Sequence, residues 1–269
     1  MRELVQGTEL SIQDLARIKA VLFDLFDTLL LIRSGKDFSE NCLRSVYSFL
    51  SANGVNVSYE DFRRAYSTVR KEIYERISRS LEEPHFSVRI SQALMRMGYD
   101  YDSSSPIARG AADAYSGEFM RYIYLGEDTI QVLRILHESG YKTGVISNFS
   151  VPEFVHKILA MYGLKDFLDV IVVSAEINRR KPSPEIFMFA LNRLGVSASE
   201  AIFVGDTPDT DVKGARNVGM RTALIERKEI DKISEDKPDF IIKRLSDLLD
   251  ILPVKNFRNL INLDKLNFI

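Results

Sequence analysis

Five short, uninterrupted apolar runs constrain this chain more than any other feature. They are Ala20-Val21-Leu22-Phe23, Thr143-Gly144-Val145-Ile146, Val170-Ile171-Val172-Val173, Ala201-Ile202-Phe203-Val204 and Thr222-Ala223-Leu224-Ile225. A strand with one face in water alternates apolar and polar residues, whereas a continuous run fits a strand covered on both faces. Segments of helical spacing lie between the runs. Ile130, Leu133 and Leu136 form one stripe, and Phe187, Ala190, Leu191 and Leu194 another. Gly140 and Gly195 follow them, where a helix C-cap glycine belongs. Strand and helix in repetition predict an α/β fold, a parallel sheet with right-handed crossovers and helices on both faces.

The stretch from Ser34 to Leu125 reads differently. It shows no convincing strand and four helical stripes. These are Leu43, Val46, Tyr47 and Leu50; then Phe62, Tyr66, Val69, Ile73 and Ile77; then Ile90, Leu94 and Met97; then Ala108, Ala112, Tyr115, Phe119 and Tyr122. Ser58 with Asp61 resembles a capping box opening the second. The expected organisation is a discontinuous α/β core over 1–33 and 126–252, a helical insert over 34–125, and an extension over 253–269 to which no role is assigned. Leu10, Ile12, Leu15 and Ile18 suggest a short helix ahead of the first strand. A long insertion after the first strand of a parallel sheet is usually functional.

Composition narrows the partners. A formal net charge of −2 recommends neither nucleic acid nor an anionic membrane. The most apolar region, Ala20 to Ile32, contains Asp24 and Asp27 and is too short to span a bilayer, and Met1-Arg2-Glu3-Leu4 does not open a signal peptide. Cys42 is the single cysteine, which excludes an internal disulfide and suits a reducing compartment. A soluble cytoplasmic protein acting on a small molecule is the expectation, with oligomeric state open.

Ligands of a parallel sheet bind outside the carboxyl ends of its strands. There the sequence places Asp24 and Asp27, Ser147-Asn148, the loop Arg179-Arg180-Lys181-Pro182, and Gly205-Asp206 with Asp211. Asp24, Asp206 and Asp211 cannot all stay ionised at close quarters without a compensating cation. Hard oxygen ligands, with no histidine or cysteine nearby, favour Mg²⁺. Lys181 and the Ser147 hydroxyl can then hold a substrate anion while Asp24 attacks it. Each residue also has a plainer reading: a surface acid, a helix cap or a solvated basic loop. His85, His137 and His156 lack ligand spacing and read as surface or packing residues.

Over roughly residues 20 to 250 the sequence resembles the haloacid dehalogenase-like superfamily. Four motifs in order carry the resemblance. They are Asp24 with Thr28 after the first strand, Ser147 ending another, Lys181 before a proline-opened helix, and Gly205-Asp206 with Asp211 five residues on. The resemblance implies a Rossmann-like core, an α-helical cap in the insert, and Asp24 as nucleophile. It further implies phosphate contacts from Thr28, Ser147, Asn148 and Lys181. Mg²⁺ would be held by Asp24, Asp206, Asp211 and the Phe26 backbone carbonyl.

One position departs from the pattern. Phosphatases of this family carry an aspartate two residues after the nucleophile, acting as general acid and base; here it is Phe26. An aromatic residue there is a dehalogenase trait, since a leaving halide needs no proton. Gly205-Asp206 and Asp211 follow the metal-dependent phosphatases instead. The leading expectation is a Mg²⁺-dependent phosphatase working through a phospho-aspartyl intermediate. A 2-haloacid dehalogenase and a non-catalytic phosphate-binding scaffold are the alternatives. On an extended backbone Asp27 faces away from the site and does not replace the missing acid; a turn there would redirect it.

Overall fold

The computed structural model describes residues 15–33, 35, 37–227 and 237–255. The expected N-terminal helix lies largely outside them, as does most of the extension after 253. Six parallel strands form the core sheet: β1 (Ala20–Phe23), β4 (Lys142–Ser147), β5 (Val170–Val173), β6 (Ala201–Gly205), β7 (Arg221–Ile225) and β8 (Phe240–Ile242). Their order is β5-β4-β1-β6-β7-β8. The chain therefore builds outward from β1 on one side, then returns to build outward on the other. β1 marks the reversal, and the crevice beyond its carboxyl end is the binding position of such sheets.

Side chains of the sheet feed two separate cores. Val21 and Phe23 belong to one cluster, while Ala20 and Leu22 belong to the other, with Phe187, Leu191 and Phe203. Both faces are covered, as the continuous apolar runs require. Gly144 is needed at the strand interface, because a Cβ there would meet Val170 Cγ1 at 2.3 Å.

The insert holds four helices, α1 (Phe38–Ala52), α2 (Tyr59–Ser80), α3 (Phe86–Arg96) and α4 (Pro106–Met120). The four expected stripes fall on them except for their last members Met97 and Tyr122, which lie just past α3 and α4, and Ser58 accepts the Asp61 N–H at 3.1 Å to cap α2. Gly110 of α4 admits the ring of Phe49 from α1; a Cβ would lie 2.2 Å from its Cζ. The larger core cluster runs unbroken from the sheet into the insert, through Phe62, Ile73 and Leu94.

The expectation of a strand-free stretch needs one correction. Ile123–Leu125 forms a strand, β3, antiparallel to β2 (Leu30–Ile32), with Leu30 opposite Leu125 and Ile32 opposite Ile123. Three residues are too few for a periodic signal, and pairing across the insert is what creates them. Among the described residues, no helix is long and apolar enough to cross a membrane.

Candidate active site

Strand register brings the chemistry together. Phe23 is aligned with Val145 of β4 and Val204 of β6, which sets Asp24 at the sheet edge one residue short of the level of Ser147 and Asp206. The Asp24 N–H is fixed by the Val204 carbonyl at 2.8 Å. Asp211 reaches the same point from a π-helical turn at Pro208–Val212. Gly205 makes room for it, since a Cβ there would meet Asp211 Oδ2 at 2.3 Å. Asp24, Asp206 and Asp211 each offer an oxygen within 4.8 Å of the others.

Lys181 faces this group from the loop before the helix Pro184–Leu194, at 2.5 Å from Asp24 Oδ1 and 2.7 Å from Asp211 Oδ1. The site is largely buried: Asp24 is 9% exposed, Lys181 2%, and Ser147 and Asp211 1% each, while Asp206 is half-buried. Burial drives the Asp24 carboxyl up to about 7, the charges of Asp211 and Asp206 adding to it and Lys181 opposing. Asp206 is pushed up to about 6 by burial, with Asp211 and Asp27 adding. Burial pulls Lys181 downward, but Asp211 and Asp24 outweigh it and hold the ammonium above its ordinary range.

Three ionised acids against one ammonium leave two negative charges uncompensated, which a divalent cation would supply. The donor set is all hard oxygen, so the residues present fit such an ion. Two buried hydroxyls, Thr28 Oγ1 and Ser147 Oγ, have no hydrogen-bond partner among the described residues. Buried polar atoms are rarely left so.

Several neighbours act on the site indirectly. Asn148 holds the lysine loop, its Oδ1 accepting the Lys181 N–H at 2.7 Å and its Nδ2 donating to the Lys181 carbonyl at 3.0 Å. Its side chain therefore positions Lys181, a role the sequence did not reveal. Asp27 is turned, not extended, with φ +58°. The turn arises because Leu29 and Leu30 donate their N–H groups to Leu25 O, and Asp27 donates to Leu30 O. Its carboxylate accepts the Ile32 N–H at 3.1 Å. Phe26 O takes part in none of these bonds, while its ring packs on Phe119 and Phe149 at centroid distances of 5.4 and 5.1 Å. Arg227, unsuspected from sequence, donates to the carbonyls of Asp27 and Thr28 at 3.0 and 2.9 Å.

The insert meets the core beside this site. Arg180 N donates to Leu81 O at 2.9 Å, Arg180 pairs with Glu83 at 3.5 Å, and Phe86 N donates to Ser150 O at 2.7 Å.

A family model described as haloacid dehalogenase-like hydrolase matches residues 18–219, which include every motif at the sheet edge. The chain belongs to that family. A glyceraldehyde 3-phosphate phosphatase of Methanopyrus kandleri is 33% identical, over 87% of this chain and 97% of the relative. Two solved haloacid dehalogenase-like structures resemble it along nearly their whole length. A HAD phosphatase from Thermococcus onnurineus is 28% identical with a TM-score of 0.61, over 88% of this chain and 98% of the other. A 2-haloacid dehalogenase from Pseudomonas syringae is 25% identical with a TM-score of 0.67, over 87% and 97%. Backbone likeness thus reaches both chemistries of the family, and the side chains at the sheet edge must separate them.

Proposed function

We propose that this haloacid dehalogenase-like hydrolase is a Mg²⁺-dependent phosphatase of a small phosphorylated metabolite. The observation that carries the reading is the clustered group of buried Asp24 and Asp211 with half-buried Asp206, which holds more negative charge than Lys181 offsets. A metal-free dehalogenase would have no use for that excess. Asp24, Asp206, Asp211 and the Phe26 carbonyl would hold the ion, which when bound neutralises the acids and the phosphoryl oxygens.

Asp24 attacks phosphorus, a P–O bond forms to its carboxylate, and the ester P–O bond breaks. Lys181, Ser147 and Thr28 receive the phosphoryl oxygens, and their donors strengthen as charge grows there. Water then cleaves the phospho-aspartate, releasing phosphate and restoring Asp24. Phe26 moves no proton, so the leaving oxygen departs best when it is already a weak base, as in an acyl phosphate. The insert acts as the cap: Phe119 of α4 closes on Phe26 and Phe149, excluding water from the nucleophile.

The ring of Phe26 keeps 2-haloacid dehalogenation as the second reading. Phosphate release from acetyl phosphate and p-nitrophenyl phosphate, measured with Mg²⁺ and with EDTA, separates the two. Turnover that requires both Mg²⁺ and Asp24 is expected. Chloride release from 2-chloropropionate in EDTA, with no phosphate release in Mg²⁺, would replace the phosphatase by the dehalogenase.

A further inference from the structure

The turn that carries the nucleophile leaves two carbonyls unserved by the backbone. Asp24 is tied to the sheet by its N–H on Val204 O at 2.8 Å, and the turn beyond it closes through Leu29 N–H and Leu30 N–H on Leu25 O. Leu29 O accepts from Gly126 N at 3.2 Å and from Thr129 Oγ1 at 2.9 Å. Asp27 O and Thr28 O accept from no backbone N–H among the described residues. One side chain takes both: Arg227 Nε lies 3.0 Å from Asp27 O, and its Nη2 lies 2.9 Å from Thr28 O. Thr28 is fully buried, and a buried carbonyl without a donor is costly.

The shape of this pairing is specific. Nε and Nη2 form one edge of a planar guanidinium, so two N–H groups meet two successive carbonyls. The charge on the donor strengthens both bonds. The grip comes from across the sheet, because Arg227 stands two residues past β7, and β6 separates β7 from β1. Its base is firm: Ile225 is paired with Ile242, and Glu226 N donates to Ile242 O at 2.8 Å. The turn it grips needs holding. Asp27 has φ +58°, a left-handed conformation that residues other than glycine keep only where their surroundings enforce it. Thr28 Oγ1 has no hydrogen-bond partner among the described residues, so the place of that hydroxyl follows its backbone.

We propose that Arg227 is a positioning residue for phosphoryl transfer. It acts through the turn: by gripping Asp27 O and Thr28 O, it holds the Thr28 hydroxyl in a set place relative to the Asp24 carboxylate. This rests on the phosphatase reading, in which Asp24 attacks phosphorus and Thr28 receives a phosphoryl oxygen. A misplacement of about 1 Å in such a geometry costs about 10²-fold in rate.

The test is steady-state hydrolysis of acetyl phosphate in Mg²⁺ by wild type, Arg227→Lys and Arg227→Ala, at a temperature where melting curves show each fully folded. Arg227→Ala should lose about 10- to 100-fold in kcat while KM moves by less than about threefold, because alignment rather than binding is removed. Arg227→Lys should recover only part of the loss, since an ammonium lacks the planar fork. Arg227 is half-buried, so a small solute can enter the space that truncation leaves. Methylguanidinium at millimolar levels should therefore raise the kcat of Arg227→Ala several-fold, and methylammonium should not. Wild-type kcat in both variants overturns the inference and leaves the phosphatase standing. A loss that falls wholly on KM does the same. A kcat loss equal in both variants and untouched by methylguanidinium assigns Arg227 to folding alone, and also overturns it. Absence of phosphate release by wild type removes the phosphatase reading, and this inference with it. If Arg227→Ala does not fold, Arg227→Lys decides: a lower kcat at unchanged KM supports the inference, and wild-type kcat overturns it.

Discussion

Opposite ends of the same strands hold carboxylates driven in opposite directions. At the amino ends, Glu200 is held down to about 2 by Lys19 at 2.5 Å and by the Ser197 N–H and hydroxyl. Beside it, Arg221 pairs with Asp239 at 3.3 Å, along a groove of about 840 Å³. At the carboxyl ends, Asp24 is driven up to about 7 by burial and by two neighbouring acids. The first arrangement matches acids to bases one for one: the exposed Lys19–Glu200 pair adds little stability, and the buried Asp239 carboxylate is also satisfied by the Thr222 N–H and hydroxyl. The second gathers acids faster than bases and seals them from water. Charge left unmatched in a buried place marks the end of the sheet that handles a ligand.

Asp24→Asn tests this contrast most severely. Phosphate release should fall by about 10⁴-fold or more, as expected when a nucleophile is removed. Glu200→Gln, at the other end, should leave both turnover and melting temperature unchanged. Comparable losses from the two substitutions would abolish the distinction.

Lys181→Met should lower kcat/KM by about 10²- to 10³-fold, the scale of losing one buried charged donor to a transition state. It also strips Asp24 and Asp211 of their shared ammonium. Breaking a buried pair costs about 3 to 5 kcal/mol, and the metal-free variant should melt correspondingly earlier. Mg²⁺ should restore much of that loss, because the acids then regain a counterion.

Phe26→Asp sharpens the role of the missing acid. Turnover of an alkyl phosphate should rise about 10- to 100-fold, toward the general-acid range, while acetyl phosphate hydrolysis changes little. A matching rise on both compounds would show that protonation of the leaving oxygen is not what Phe26 withholds.

The smallest effect is one of pH on the metal-free protein. Asp24 and Asp206 titrate at about 7 and about 6 when folded, against an ordinary 3.8. The folded state therefore keeps protons that the unfolded chain releases, and stability is lost as pH rises from about 4 to about 7. Melting temperature across that range should fall without Mg²⁺ and flatten with it.

Five core strands were legible because burial on both faces writes a continuous apolar run. β8, three residues with Ile241 partly exposed, gives no such run and was not foreseen. Asp24, Lys181, Asp206 and Asp211 are legible because each sits at a strand end or loop start in fixed order. Their supports are not. The amide clamp of Asn148 and the reach of Arg227 join residues distant in sequence. The turn at Asp27 likewise follows from bonds to Leu30 and Ile32, which no spacing announces.

The ribbon of β2 and β3 has a consequence of another kind. Chain departs for the insert through Leu30–Ile32 and returns through Ile123–Leu125, and paired strands lie about 4.8 Å apart. A short turn could join those ends, and closing so small a gap carries little entropic penalty. The whole insert is thus joined to the core as a detachable cassette. An insert of another length or shape can be joined at the same two strands while the sheet edge that carries Asp24 stays as it is.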